Sequence, residues 1–119
     1  MKTPTLGSIL LGSAEPQRLR DWYCAAFDCT PNKYGFIDFG GVDILIDGRT
    51  DVTPANHEPG RCILNFHVDD ARGTVAHLDS LGATWLVPLE DRGNGLFGTL
   101  IDPDGNYLQI IQMEEGYGS

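Results

Sequence analysis

Few side chains in this 119-residue sequence could do more than pack. His57, His67 and His77 could form a metal site, or one of them could act as a general base. Their settings differ: His57 lies in a Pro- and Gly-containing loop, His77 on a helical stretch and His67 on a strand, with the parity of Ile63 and Asn65. Of the three, only His67 is placed to meet a bound molecule; an ordinary hydrogen-bonded histidine is the simpler reading. Asp102, Asp104 and Asn106, in LIDPDGNYLQIIQ, imitate a calcium ladder. They lack the loop of about twelve residues and its terminal Glu, and Asp, Gly and Asn are what a tight turn needs. Gly93-Asn94-Gly95 has neither the strand-to-helix context nor the Lys of a phosphate loop. Cys24, Cys29 and Cys62 are an odd set without a CxxC pair, so they are expected to be buried free thiols rather than a disulfide framework or a zinc ribbon. No Ser-His-Asp or Cys-His arrangement is supported. One residue stands out: Gln109, a neutral amide in the middle of an apolar run, where a carboxylate would be a metal ligand or an acid–base group.

The elements that must hold these residues follow from periodicity. Leu6 to Leu11 reads as a short strand stopping at Gly12-Ser13. Leu19, Trp22, Tyr23, Ala26 and Phe27 have helical spacing after Ala14-Glu15-Pro16, predicting a helix over 15–28 that ends before Thr30-Pro31-Asn32. Tyr34 to Phe39 and Val42 to Ile46 read as strands joined by Gly40-Gly41. Residues 48–60 hold two prolines and no apolar alternation, and form a linker. The order then restarts: a strand at Cys62 to Val68, a helix capped at Asp69-Asp70 with Val75, Leu78 and Leu81 on one side and ended by Gly82, then strands at Thr84 to Leu89, Phe97 to Ile101 and Tyr107 to Met113. The C-terminal EEGYGS reads as a frayed end.

FIDFGG at 36–41 lies over LIDPDG at 100–105, which together with the repeated element order indicates an internal duplication. The fold class is α+β, with one domain built from two β-α-β-β-β modules, about 5–47 and 61–113. Such a module cannot cover both faces of its small sheet, so modules or chains must combine, and a concave sheet cleft is the natural ligand site. A net charge of −9 with eight scattered basic residues argues against nucleic acid and anionic membranes as partners. The apolar run Ile9 to Leu11 is too short for a signal peptide or a membrane span, so a soluble, cytoplasmic protein is expected.

LIDPDGNYLQI, the pair Trp22-Tyr23, the stretch NFHVDD at 65–70 and the two modules together resemble the vicinal oxygen chelate superfamily of glyoxalases, bleomycin-resistance proteins and dioxygenases, over about residues 5–113. The resemblance implies four positions at which the enzymes hold a divalent metal, one on the first and one on the last strand of each module. In this sequence they fall on Ser8, Leu45, Ile63 and Gln109. Two aliphatic side chains, a hydroxyl and an amide make a poor donor set, since catalytic metals are held by imidazole or carboxylate groups. What the resemblance then implies is a drug-binding relative without a metal or other cofactor.

The expected function is stoichiometric binding and sequestration of a bulky, aromatic natural-product antibiotic, bleomycin-type or enediyne-like, by a cytoplasmic homodimer, giving self-resistance. Apolar burial is expected at Leu10, Leu45 and Ile63, and hydrogen bonds at Ser8, Asn65, His67 and Gln109. Stacking is expected from those among Tyr34, Phe36, Trp85, Phe97 and Tyr107 that alternation turns to the cleft; Trp22, Tyr23 and Phe27 are core. The alternative is a metal-dependent glyoxalase- or dioxygenase-type enzyme with a small substrate.

Overall fold

Helical spacing from Leu19 onward produces the expected helix. In the computed structural model, which describes residues 1–114, α1 spans Pro16–Phe27. Pro16 sits in the first turn, where an N–H has no helical partner to lose. Leu19, Tyr23 and Ala26 form its buried stripe. The helix stops before the Thr30-Pro31-Asn32 turn, because Asp28 adopts a left-handed backbone at φ 49° and the N–H of Cys29 closes back on the Cys24 carbonyl at 3.1 Å.

Around α1 run β1 (Ser8–Ser13), β2 (Phe36–Asp38) and β3 (Asp43–Gly48), in the order β1-β3-β2. The parallel pairing of β1 with β3 needs a crossover, and α1 with β2 provides it. Ile37, Ile44 and Ile46 are buried, each at most 4% exposed, and form one side of the sheet. Residues of the other parity, Ser8, Leu10, Phe36 and Leu45, form the open face. Leu10 pairs with Leu45, and Leu45 with Phe36, so the three stand in one row across the strands.

Three expectations for this half are corrected. β1 starts at Ser8 and continues through Gly12-Ser13, since β3 offers Asp47 and Gly48 as partners there. β2 is shorter than predicted: the Asn32 side chain accepts the N–H groups of Tyr34 and Phe36, at 2.9 and 3.1 Å, and Gly35 takes φ 90°, so Tyr34 belongs to a turn. The module is β-α-β-β, one strand short of its counterpart, because residues 49–58 carry no alternation to build another strand.

The second half is complete. It comprises β4 (Leu64–His67), α2 (Ala71–Ser80), β5 (Thr84–Asp91), β6 (Gly95–Ile101) and β7 (Tyr107–Met113), with sheet order β4-β7-β6-β5. β4 begins just after Ile63, because Pro59–Arg61 forms a single 3-10 turn. Leu78 and Ala71 of α2 are fully buried, with Leu100, Leu108 and Ile110 of the sheet. Leu81 lies beyond the helix and is 43% exposed, so it does not join the predicted apolar side. The chain divides into two compact units, Met1–Pro54 and a second beginning at Ala55. Of the expected frayed end, the residues after Glu114 lie outside the described residues. Among the described residues no helix is long and apolar enough to cross a membrane.

Asp70 caps α2, its Oδ1 accepting the Gly73 N–H at 3.0 Å. Asp70→Ala removes that acceptor and is expected to cost about 1 kcal/mol of stability, measured by urea unfolding.

Candidate functional site

The two sheets repeat the same pairing. In the first, β1 residue Leu10 pairs with β3 residue Leu45; in the second, β4 residue Asn65 pairs with β7 residue Gln109. One step earlier, Ile9 with Ile44 is answered by Leu64 with Leu108. Ser8 and Ile63 therefore stand at equivalent places, each just ahead of those pairs. By these pairings Leu45 answers to Gln109, but Phe36, the partner of Leu45, answers to Thr99 and not to Leu100, so the overlay of 36–41 on 100–105 is one residue out of step with the strand register.

In the first unit the open face is apolar. Leu10 is 59% exposed, and Leu45 and Phe36 beside it are half-buried. Gly35 lets the chain turn closely over Leu45, since a Cβ there would lie 3.3 Å from Leu45 Cδ1. Ser8 is exposed at the start of the strand. Tyr34 is off the sheet, 70% exposed, with Lys33 Nζ 5.1 Å from its ring centroid.

In the second unit the corresponding face is more polar. Asn65, Gln109 and Thr99 form a row across β4, β7 and β6. Gln109 Nε2 donates to Thr99 Oγ1 at 3.4 Å, and Thr99 is only 6% exposed, so the amide is oriented by a buried hydroxyl. Asn65 and His67 are exposed on the same side of β4, with Ile63 38% exposed just before it. Phe97 pairs with Ile111, and the Arg92 guanidinium carbon lies 4.8 Å from the centroid of its ring; Tyr107 pairs with Ile101.

Trp85 departs from expectation. It pairs with Leu100, a core residue, and its Nε1 donates to Asp79 Oδ1 of α2 at 2.7 Å. Its ring also lies against Gly98, whose Cβ would sit 3.2 Å from Trp85 Cζ3. The indole is therefore on the helix side of the sheet, and not on the open face. β5 keeps its alternation of half-buried and exposed residues despite register shifts after Trp85, so what the expectation lacked is which parity faces the helix, and the pairing with Leu100 decides that. Thr99 and Arg92 were missed as neighbours of Gln109 and Phe97; the parity of Phe97, Thr99 and Ile101 on one strand was the available signal for Thr99.

Position of the Gln109 strand is set by the DPDGN turn. Asp102 Oδ1 accepts the N–H groups of Asp104 and Asn106 at 2.9 and 3.0 Å, and Oδ2 accepts from Asn106 Nδ2 at 2.9 Å. Gly105 supplies the positive φ of 85°. Asn56 braces the turn from outside, its N–H donating to the Asp104 carbonyl at 2.8 Å. The acidic residues thus organise backbone, as turn chemistry requires.

The donor set does not fit a catalytic divalent metal. Of the four positions that the resemblance assigns, Leu45 and Ile63 have side chains without lone pairs, and Ser8 and Gln109 offer only a hydroxyl and an amide oxygen. Among the described residues no group of three His, Cys, Asp or Glu could hold a metal ion. His57 is in the loop, His77 on α2 and His67 on β4, each exposed.

A family described as glyoxalase-like domain matches residues 8–111. Comparison with curated proteins gives no match. Among solved structures, the chain is similar to a glyoxalase/bleomycin resistance protein/dioxygenase family enzyme from Burkholderia phytofirmans PsJN, at 15% identity and TM-score 0.76, covering 93% of this chain and 100% of that one. An integron cassette protein from the mobile metagenome of V. cholerae is similar at 17% identity and TM-score 0.74, with 96% and 98% covered. So is a glyoxalase-related enzyme from Fulvimarina pelagi, at 20% identity and TM-score 0.69, with 92% and 88% covered. At these identities the likeness establishes the fold.

Proposed function

Because the chain belongs to the glyoxalase-like domain family, within the vicinal oxygen chelate superfamily, we propose that it uses the open faces of its sheets to bind an organic ligand without a metal. The ligand is a bulky, aromatic natural product of the bleomycin or enediyne type, held stoichiometrically by a cytoplasmic homodimer as a means of self-resistance. The observation that carries this reading is the row Leu10, Leu45 and Phe36 on an open sheet face, with aliphatic carbon at one of the family's metal positions. Apolar area of this kind favours a ligand with a large hydrocarbon or aromatic surface.

The remaining site residues have roles that follow from their chemistry. Leu10, Leu45 and Ile63 supply apolar contact, and Phe36, Phe97 and Tyr107 flat surface. Ser8, Asn65, His67 and Gln109 supply directional hydrogen bonds, Gln109 being pre-oriented by Thr99. Tyr34, on its exposed turn, contributes only to a ligand that extends past the sheet edge.

Calorimetric titration in chelator-containing buffer tests the proposal, using a bleomycin-type glycopeptide and an aromatic enediyne chromophore as probes. One saturable event per chain with at least one of them is expected. No heat with either, together with metal-dependent turnover of a small substrate, would replace the proposal by the enzyme alternative.

A further inference from the structure

Cys24 lies in the last turn of α1 and Cys29 just beyond its end. The left-handed Asp28 reverses the chain between them, and the Cys29 N–H donates to the Cys24 carbonyl at 3.1 Å. In this kind of helix end the side chains of the two hydrogen-bonded positions face each other. Here those side chains are thiols, and Cys24 is near enough to help push the Cys29 thiol up. With standard bond lengths the backbone hydrogen bond holds the two Cα atoms within about 7 Å, the separation beyond which a disulfide would require the backbone to move. Neither thiol matches the expectation of full burial: both are half-buried, while Cys62 is exposed and belongs to the second unit.

We propose that Cys24 and Cys29 are a redox modification site, a dithiol that low-molecular-weight disulfides convert reversibly to an intrachain disulfide at the end of α1. The Cys24 thiolate attacks one sulfur of the disulfide RSSR, forming Cys24–S–S–R and expelling RS⁻. The Cys29 thiolate then attacks Cys24 Sγ and expels the second RS⁻. The two thiol protons end on the two RSH molecules, and two electrons pass from the protein to RSSR.

The order of attack follows from the surroundings. Burial, then the neighbouring Cys24 charge and its hydrogen bond, then Asp28, push the Cys29 thiol up to about 11. Its S–H also donates to the Tyr23 carbonyl at 3.6 Å. Cys24 is therefore the attacking group, since the thiolate is the nucleophile. Once Cys24 is in a mixed disulfide, its charge and its hydrogen bond no longer hold Cys29 protonated. The closed ring fixes the entry to the 30–35 segment, through which Asn32 places Phe36 at the edge of the open face. This site does not depend on which ligand the protein takes.

The test uses the full chain carrying Cys62→Ser, which removes the exposed thiol, incubated natively with oxidised glutathione and read by intact mass. Loss of two hydrogens, no retained glutathione and reversal by dithiothreitol are expected. Cleavage before aspartate separates 21–27 from 28–37, so the oxidised protein should yield these two peptides joined until reduced. In the same background, Cys29→Ser should stop with one glutathione on Cys24, and Cys24→Ser should react at least about tenfold more slowly. A persistent glutathione adduct on the protein that retains both cysteines would overturn the proposal. So would an unchanged mass under conditions in which the urea-unfolded chain reacts. Should either single variant fail to fold, the peptide linkage in the Cys62→Ser protein decides alone.

Discussion

Leu100→Ala is expected to lower the unfolding free energy by about 2–5 kcal/mol, seen as a lower urea midpoint with an unchanged slope. Leu100 has no exposed surface and stands on β6 between Leu108 of β7 and Trp85 of β5, on the face that also holds Ile110. Truncation leaves a cavity that the hydrogen-bonded strands cannot collapse into. The same side chain fixes the parity of β6: with Leu100 on the helix side, Thr99 must face the other way, beneath Gln109. A one-residue slip would exchange the two faces. A loss below about 1 kcal/mol would mean that Leu100 is not in the core, and would remove the basis for placing Thr99 beside Gln109.

Leu45→Asp is expected to weaken ligand binding by about two orders of magnitude or more while leaving the fold intact. Leu45 stands between Leu10 and Phe36 on the open face, whereas the helix side of β3 is carried by Ile44 and Ile46. Losing a buried leucine contact removes about 1.5–3 kcal/mol, and a carboxylate stripped of water against an aromatic ligand adds to that. Since a tenfold change in affinity is about 1.4 kcal/mol, the combined loss exceeds a hundredfold at the upper end. Leu45→Met, which preserves volume and hydrophobicity, should bind within a few-fold of the parent. Binding unchanged in the Leu45→Asp protein, measured by titration calorimetry, would remove the first sheet from the site.

Much of this arrangement was legible from local pattern. The Leu19, Tyr23 and Ala26 stripe is visible as helical spacing. The DPDGN turn is visible because Asp, Gly and Asn each have a specific backbone task there. The overlay of 36–41 on 100–105 sets Leu45 over Gln109, as the pairings of Leu10 with Leu45 and Asn65 with Gln109 also do, but it sets Phe36 over Leu100 where the ladders set it over Thr99. What escaped depends on contacts that the period of a single strand or helix does not specify. Tyr34 has strand-like neighbours, but Asn32 captures the backbone donors that a ladder would need. Trp85 was misplaced because alternation, which β5 keeps, does not say which parity faces the helix; its pairing with Leu100 does. The Gln109–Thr99 pair requires the β6–β7 register, which no single strand specifies. Cys24 and Cys29 match no cysteine motif, and they meet only because Asp28 turns left-handed at the end of α1.

The most direct test of metal-free ligand binding is a thermal-shift series on the intact protein. Bleomycin-type and aromatic enediyne compounds are compared with divalent metals, each with and without chelator. A ligand at about a hundred times its Kd adds about 2.7 kcal/mol to native-state stability, enough to raise Tm by several degrees. The account predicts that at least one natural product raises Tm equally in both buffers and that no divalent metal alone does so. A rise with a divalent metal alone, together with loss of the ligand's effect in chelator, would contradict it.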